Sequence, residues 1–397
     1  MISAHATLGR ADSPVRLAIG GLLAMAAAVG IGRFIYTPIL PPMTAELGLS
    51  QGDAGLIASA NFAGYLVGAM AAAARRLPGE PRTWLIANLV ISAVTTMMMA
   101  FADTLSAFLV LRFVGGVASA FVLVLSSALV LERLAAAGRG SLSAVHFAGV
   151  GTGIATSAVV AWAVGESGLG WRWIWSMGGL LALVASAIVW WFVPPADPQL
   201  TNEAPPSASA ARQPSGLARL TLSYGLFGFG YIITATFIVA IVRAAPATVE
   251  IEPLVWLTVG LAGAPSIVVW AAVAKRTGNL AAYAIACLVL AVGVAVSVLS
   301  TTPAAVLFAA VLVGGTFMGI TALGLIVARA MAGAAGRRAV ATLTAAFGFG
   351  QIVGPLVAGY GYDLTGSFVT PSLIAVVALV VSAGLAMTIT DRPASAA

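Results

Sequence analysis

Arg33 and Arg112 stand where charge is costly. The chain is 60% apolar and 8% charged, and both arginines fall inside long apolar runs. An ionisable group in such a place is a functional candidate by default. A guanidinium presents its donors in a planar fork that suits a carboxylate. Arg112 lies about seven residues into its run, roughly 10 Å deep at 1.5 Å per residue. Small residues follow it, Gly115, Gly116, Ala118 and Ser119, and these let a neighbouring helix come close. The bland alternatives are an Arg112 satisfied by backbone carbonyls and an Arg33 that snorkels to headgroups or ties helices together. Tyr231, Asn61, Tyr65 and Gln351 are further polar candidates for a substrate cavity. Asn61 and Tyr65 are one turn apart and share a helix face. His146 titrates near neutral pH, so it offers a proton relay, or simply a hydrogen bond to a neighbouring helix. No Asp or Glu lies in the middle of any apolar run. Carboxylate-based coupling to protons or sodium is therefore disfavoured, and two buried cations without partners favour an anionic substrate.

These side chains need a scaffold solvated by lipid. Ordinary soluble domains carry about 25% charged residues, whereas mean hydropathy here is +1.04. That excludes a soluble enzyme and a disordered chain. The net charge is +6, but the basic residues are scattered, with no stripe for nucleic acid. Cys287 is the sole cysteine and there are two histidines, so neither a metal centre nor a cofactor is expected. The only lysine is Lys275 and no phosphate-binding loop occurs, which leaves a gradient or exchange as the energy source. A membrane enzyme would need paired carboxylates or a histidine cluster.

A spanning helix takes about 20 apolar residues. Twelve candidates follow: 15–41, 54–74, 83–101, 105–131, 142–164, 172–193, 217–242, 253–274, 280–300, 304–331, 338–360 and 371–390. The first run is too long for a signal peptide and reads as a permanent span. With a cytoplasmic amino terminus, the inner segments hold Arg10, Arg16, Arg75, Arg76, Arg82, Arg133, Arg139, Arg212, Arg219, Lys275, Arg276, Arg329, Arg337, Arg338 and Arg392, and the outer ones only Arg172 and Arg243. That bias puts both termini inside. Glu46, Asp53, Asp103, Glu166, Glu250, Glu252 and Asp363 then belong to outer loops. Trp171, Trp173, Trp190 and Trp191 bracket the sixth span as interface anchors.

Residues 194–216, PPADPQLTNEAPPSASAARQPSG, form the one long polar stretch and read as a linker. They separate 1–193 from 217–397, each with six spans. The halves match in register: Gly30-Ile31-Gly32 with Gly228-Phe229-Gly230, Ala74-Arg75-Arg76 with Ala274-Lys275-Arg276, Val114-Gly115-Gly116 with Val313-Gly314-Gly315, and Gly149-Val150-Gly151 with Gly348-Phe349-Gly350. The offsets are 198, 200, 199 and 199. Parallel six-helix repeats imply two bundles that rock about a central site. Pairs such as Gly64/Gly68, Gly149/Gly153, Gly315/Gly319 and Gly350/Gly354 read as close-packing points.

On these residues the sequence resembles the major facilitator superfamily over essentially its whole length. Gly30-Ile-Gly-Arg33-Phe-Ile-Tyr36-Thr-Pro38-Ile-Leu-Pro41 and Gly228-Phe-Gly-Tyr231 are similar to the first and seventh spans of its YbfB-like bacterial branch. Arg112-Phe-Val-Gly115-Gly resembles the superfamily's fourth-span arginine motif. The loops at Arg75-Arg76 and Lys275-Arg276 keep their basic residues and lack the usual aspartate. The fifth-span motif Gly149-Val-Gly151-Thr-Gly153 lacks the Gly-Pro pair of proton-driven antiporters, although Gly354-Pro355 occurs in span 11. The expectation is thus an all-α integral membrane protein with twelve transmembrane helices in two pseudo-symmetric six-helix bundles, a monomer in a bacterial inner membrane. It moves a small organic solute, with protons as a candidate coupling ion. An exporter of drug-like amphiphiles and a non-transporting sensor are the rival readings.

Overall fold

Pro38 decides the shape of the first span. The computed structural model describes residues 13–73, 78–195 and 215–389, and its first apolar stretch, Pro14–Leu47 (span 1), is broken near its middle. An α-helix over Pro14–Met25 loosens into a π-helical stretch at Ala26–Ile31 and restarts as a second α-helix at Tyr36–Leu47. Pro38 falls in the first turn of that second helix, where a missing N–H is tolerated. It nonetheless leaves the Phe34 carbonyl without an i+4 donor. The Thr37 N–H turns to that carbonyl instead (3.2 Å) and so frees the carbonyl of Arg33. The apolar run alone ends span 1 at residue 41. The helix instead continues through Pro41 and Pro42 to Leu47 and ends at Gly48, whose φ of 65° suits a glycine terminator.

The remaining spans follow the apolar runs closely. They are Gln51–Ala72 (span 2), Pro81–Phe101 (span 3), Leu105–Ala136 (span 4), Gly140–Glu166 (span 5) and Trp171–Phe192 (span 6). The second half supplies Gly216–Arg243 (span 7), Asn279–Leu299 (span 9), Pro303–Ala332 (span 10), Gly336–Thr365 (span 11) and Val369–Met387 (span 12). Span 8 is a bent pair, Val249–Gly263 and Ser266–Thr277, turned by 49°. Pro265 sits at the bend and lacks the N–H an unbroken helix would use there. Ser266 Oγ and Trp270 Nε1 each donate to the Gly315 carbonyl at 2.8 Å and fix the bend to span 10. No strand occurs among the described residues.

The twelve helices form two pseudo-symmetric six-helix bundles, and the hydrogen bonds repeat with them. Arg16, at the start of span 1, donates to the Trp191 carbonyl at the end of span 6 (3.0 Å). Arg219, at the start of span 7, donates to the Thr388 carbonyl just past span 12 (2.9 Å). In each half a basic residue of the first span thus satisfies a carbonyl at the end of the last. Arg82 and Arg133 also cap this end of span 6, on the carbonyls of Trp190, Pro194 and Pro195. Thr37 and Ala235 are 198 residues apart, one repeat, and they meet: Thr37 Oγ1 donates to the Ala235 carbonyl at 2.8 Å. Repeat-equivalent residues touch only near the axis that relates the halves.

Across that axis span 2 packs on span 11, and span 5 on span 8. Both described ends of the chain lie on one side, the terminal side; Leu47 and Gln51 mark the far side. Several expectations need correction. Trp171 is not an interface anchor: it is 2% exposed, with its ring 6.4 Å from Phe108, while Trp173, Trp190 and Trp191 are exposed. Glu46, Asp53, Glu166, Glu252 and Asp363 belong to helices rather than loops. Arg75, Arg76 and most of the linker at 194–216 lie outside the described residues.

Candidate functional site between the bundles

The break in span 1 is what Arg112 holds. Its Nη1 donates to the Gly32 carbonyl and its Nη2 to the Arg33 carbonyl, both at 3.0 Å. The second is the carbonyl that Thr37 released. The guanidinium lies against two aromatic faces, Tyr36 at 5.1 Å and Trp175 at 5.9 Å. Asn61 of span 2 donates to the Arg112 carbonyl at 2.9 Å, which places Asn61 in the seam between spans 2 and 4. Both terminal nitrogens of Arg112 are thus satisfied by protein, in a job that needs a two-pronged donor, while its Nε, like that of Arg33, has no partner.

Arg33 is not satisfied in that way. It is 5% exposed. Its Nη2 donates to Ser119 Oγ at 3.3 Å, its guanidinium also hydrogen-bonds Tyr65, and its Nε has no partner. Its carbon centre lies over the rings of Tyr65 at 4.1 Å and Phe62 at 5.4 Å. Tyr231, from the other bundle, is within electrostatic reach. No Asp or Glu is among the buried side chains of the described residues, so neither guanidinium has a counter-charge inside the protein.

The second bundle faces this cation with an aromatic wall. Tyr231 stacks nearly parallel on Phe317 (5.9 Å, 3°) and Phe347 (5.7 Å, 5°). Its hydroxyl accepts from Gln351 Nε2 at 2.5 Å, while Gln351 Oε1 has no partner. Phe34 reaches across to Trp256 and Phe317, both at 6.4 Å. Of the six residues read as substrate candidates, Arg33, Tyr65, Tyr231 and Gln351 belong to this centre. Arg112 and Asn61 belong to its support. Phe62 could have been found from sequence, three residues before Tyr65 and so on its face. Phe317 and Phe347 carried no such signal, because single aromatics in apolar helices are ordinary.

His146 stands apart from this centre. It is fully buried, with Nε2 3.5 Å from Ser127 Oγ and Nδ1 unpartnered. A Cβ on Gly21 of span 1 would meet that ring, so His146 fills the seam between spans 1, 4 and 5. The glycines divide by face. Gly149 and Gly153 press on span 1 at Leu22, Ala26 and Gly30, whereas Gly151 presses on Gly260 and Ala264 across the bundles. Gly354 packs on span 7, and the Pro355 carbonyl packs on Gly55 of span 2. Lys275 and Arg276 are exposed at the terminal-side end of span 8. Among the described residues no group of metal-ligating side chains occurs.

The hydrogen bonds between the bundles gather on one side. Among the described residues they are Thr37 to Ala235, Gln51 and Gly52 to Asp363, Ser59 to Ile352, and Trp256 to Ser157. All lie in the far-side half of the membrane. The structure is therefore closed toward the far side.

Twelve spans in two related bundles, with a polar centre between them, define a transporter of the major facilitator type. Residues 25–387 match the family described as "Uncharacterised MFS-type transporter YbfB", and the chain belongs to that family. Among solved structures it is similar to a point mutant of the nucleoside transporter NupG, with a TM-score of 0.74 and 16% identity over 95% of this chain and 100% of that one. It is also similar to a bacterial homologue of the human lysosomal transporter Spinster, in an inward-facing and unoccupied conformation, with a TM-score of 0.67 and 14% identity over 96% and 98%. At such identities the likeness concerns the fold. A search of curated proteins found no match.

Proposed function

We propose that this protein is a secondary active transporter that moves a small organic anion by alternating access. Its moving parts are the bundles 1–193 and 217–397, joined by the linker 194–216. Both termini are cytoplasmic in a bacterial inner membrane, so the far side is the outside. A monomer suffices, because one chain supplies both walls of the site.

The observation that carries this reading is Arg33. A buried guanidinium whose protein partners are the neutral hydroxyls of Ser119 and Tyr65 and aromatic faces, with no carboxylate, is expensive to keep. A cargo that brings a carboxylate or similar anion supplies the missing partner, bonded to the fork. Tyr65, Tyr231 and Gln351 orient the rest of the cargo. Arg112 and Asn61 act through the backbone of spans 1 and 4, and keep Arg33 in place. A proton-linked step at His146 would act on the seam between spans 1 and 4, separate from the cargo. The glycine faces at Gly149, Gly151, Gly153 and Gly354, with Pro355, serve as close-packing surfaces during rocking. The basic residues Arg75, Arg76, Lys275 and Arg276 set the orientation in the membrane.

The aromatic wall favours a second reading, export of amphipathic or drug-like compounds. Ligand-induced thermal stabilisation separates the two, since a ligand at about 100 times its Kd adds about 2.7 kcal/mol to the folded state. A panel of organic anions, organic cations and neutral amphiphiles is tested on the purified protein and on Arg33→Gln. The anion reading expects stabilisation by anions alone, lost in Arg33→Gln. Equal stabilisation of both proteins by cations or neutral amphiphiles contradicts it and favours the exporter.

A further inference from the structure

We propose that Asp363 is the latch of the far-side gate: its carboxylate holds the two bundles together and must leave the amino end of span 2 whenever that side opens. The proposal rests on the alternating-access reading above.

The first four N–H groups of a helix have no partner within it. In span 2 two of them are served locally. They are those of Asp53 and Ser50: Asp53 N–H donates to Ser50 Oγ at 3.0 Å, and Ala54 N–H, the first with a partner in the helix, donates to the Ser50 carbonyl at 3.1 Å. Ser50 N–H donates back to Asp53 Oδ2 (3.1 Å), a reciprocal cap. The other two donate across the bundles. Gln51 N–H reaches Asp363 Oδ1 at 3.0 Å, and Gly52 N–H reaches Oδ2 at 2.8 Å. Both oxygens of one carboxylate are thus engaged, at the helix end where negative charge is favoured.

The seam around this bond is shaped for it. A Cβ on Gly52 would come within 2.6 Å of Asp363 Oδ2 and 2.8 Å of the Tyr360 ring. A Cβ on Gly359, one turn before Asp363, would run into the Gln51 carbonyl. The left-handed Gly366 (φ 69°) ends span 11 just beyond. At the repeat-related seam the bond is neutral, Trp256 Nε1 to Ser157 Oγ at 3.0 Å. The Asp363 bond is therefore the only charged hydrogen bond between bundles among the described residues. It is also exposed, so water from the far side can replace each partner when it breaks.

Ser59 reports on the same seam. It lies two turns deeper, 3% exposed, with Oγ on the Ile352 carbonyl at 2.7 Å. Ser59→Cys is made on a Cys287→Ser background, and a membrane-impermeant charged maleimide is added from the far side of sealed vesicles. Asp363→Asn, which loses the charge and one acceptor, should raise the labelling rate about tenfold or more. Gly52→Ala leaves Asp363 intact but occupies its seat, and should also raise the rate; it decides the matter if Asp363→Asn does not fold. Gly260→Trp, a wedge in the seam between spans 5 and 8, is the control. If the wedge speeds labelling and the two latch variants do not, Asp363 is no latch and alternating access stands. If none of the three speeds labelling, the latch and alternating access both fall. A purely structural role for Asp363 would lower the melting temperature without changing the labelling rate of the folded protein.

Discussion

Arg33 and Arg112 share a residue type and a burial class, yet their partners differ. Arg112 spends both terminal nitrogens on the carbonyls of Gly32 and Arg33. Arg33 meets two neutral hydroxyls, Ser119 at 3.3 Å and Tyr65. Charge-assisted hydrogen bonds contribute about 1.5–3 kcal/mol each in water, and somewhat less in a membrane. Arg112→Ala should therefore destabilise the protein by about 3 kcal/mol, and Arg33→Gln by about 1 kcal/mol or less. Unfolding titrations in mixed detergent measure both. Equal losses would mean that Arg33 is as structural as Arg112. At this scale the sequence told that both arginines were buried, because runs of apolar residues surround them. It could not rank them, because the carbonyls that satisfy Arg112 belong to a segment 80 residues away and exist only once span 1 breaks.

The elements were legible where composition alone dictates them. Each apolar run became a helix within a few residues, since a chain in lipid has to satisfy its backbone internally. Readings failed where a proline changes the hydrogen-bond ladder. Pro41 looked like the end of span 1, yet the helix passes through it. Pro38 looked like one residue of a motif, yet it redirects Thr37 and so makes a site for Arg112. That chain of cause is testable. Pro38→Ala restores a donor for the Phe34 carbonyl, lets Thr37 return to the Arg33 carbonyl and competes with Arg112. In the Pro38→Ala background, Arg112→Ala should cost less than in the parent, with a coupling of about 1 kcal/mol or more in a double-mutant cycle. Strict additivity would mean that the break and the arginine are independent. The capping role of Asp363 was invisible for a similar reason: its partners are amides 311 and 312 residues away.

At the scale of the whole molecule, the repeat organises the rest. Offsets near 199 in the sequence reappear as paired hydrogen bonds at the ends of each bundle and as the meeting of Thr37 with Ala235. Closure on the far side, by glycine seams and a few hydrogen bonds, leaves the cation at Arg33 between the bundles, where each wall comes from a different half. On the proposed mechanism, binding and movement are coupled through one residue on span 1 and its facing groups on spans 7 and 11.

The most direct test is flux. The purified protein is reconstituted into sealed liposomes, and uptake of a radiolabelled organic anion that stabilises it is followed with and without the same anion inside. Carriage of the anion on Arg33 gives saturable uptake that the internal anion accelerates, with Arg33→Gln reduced to the rate of empty liposomes although it remains folded. Uptake by Arg33→Gln at the parent rate and with the parent KM would contradict it.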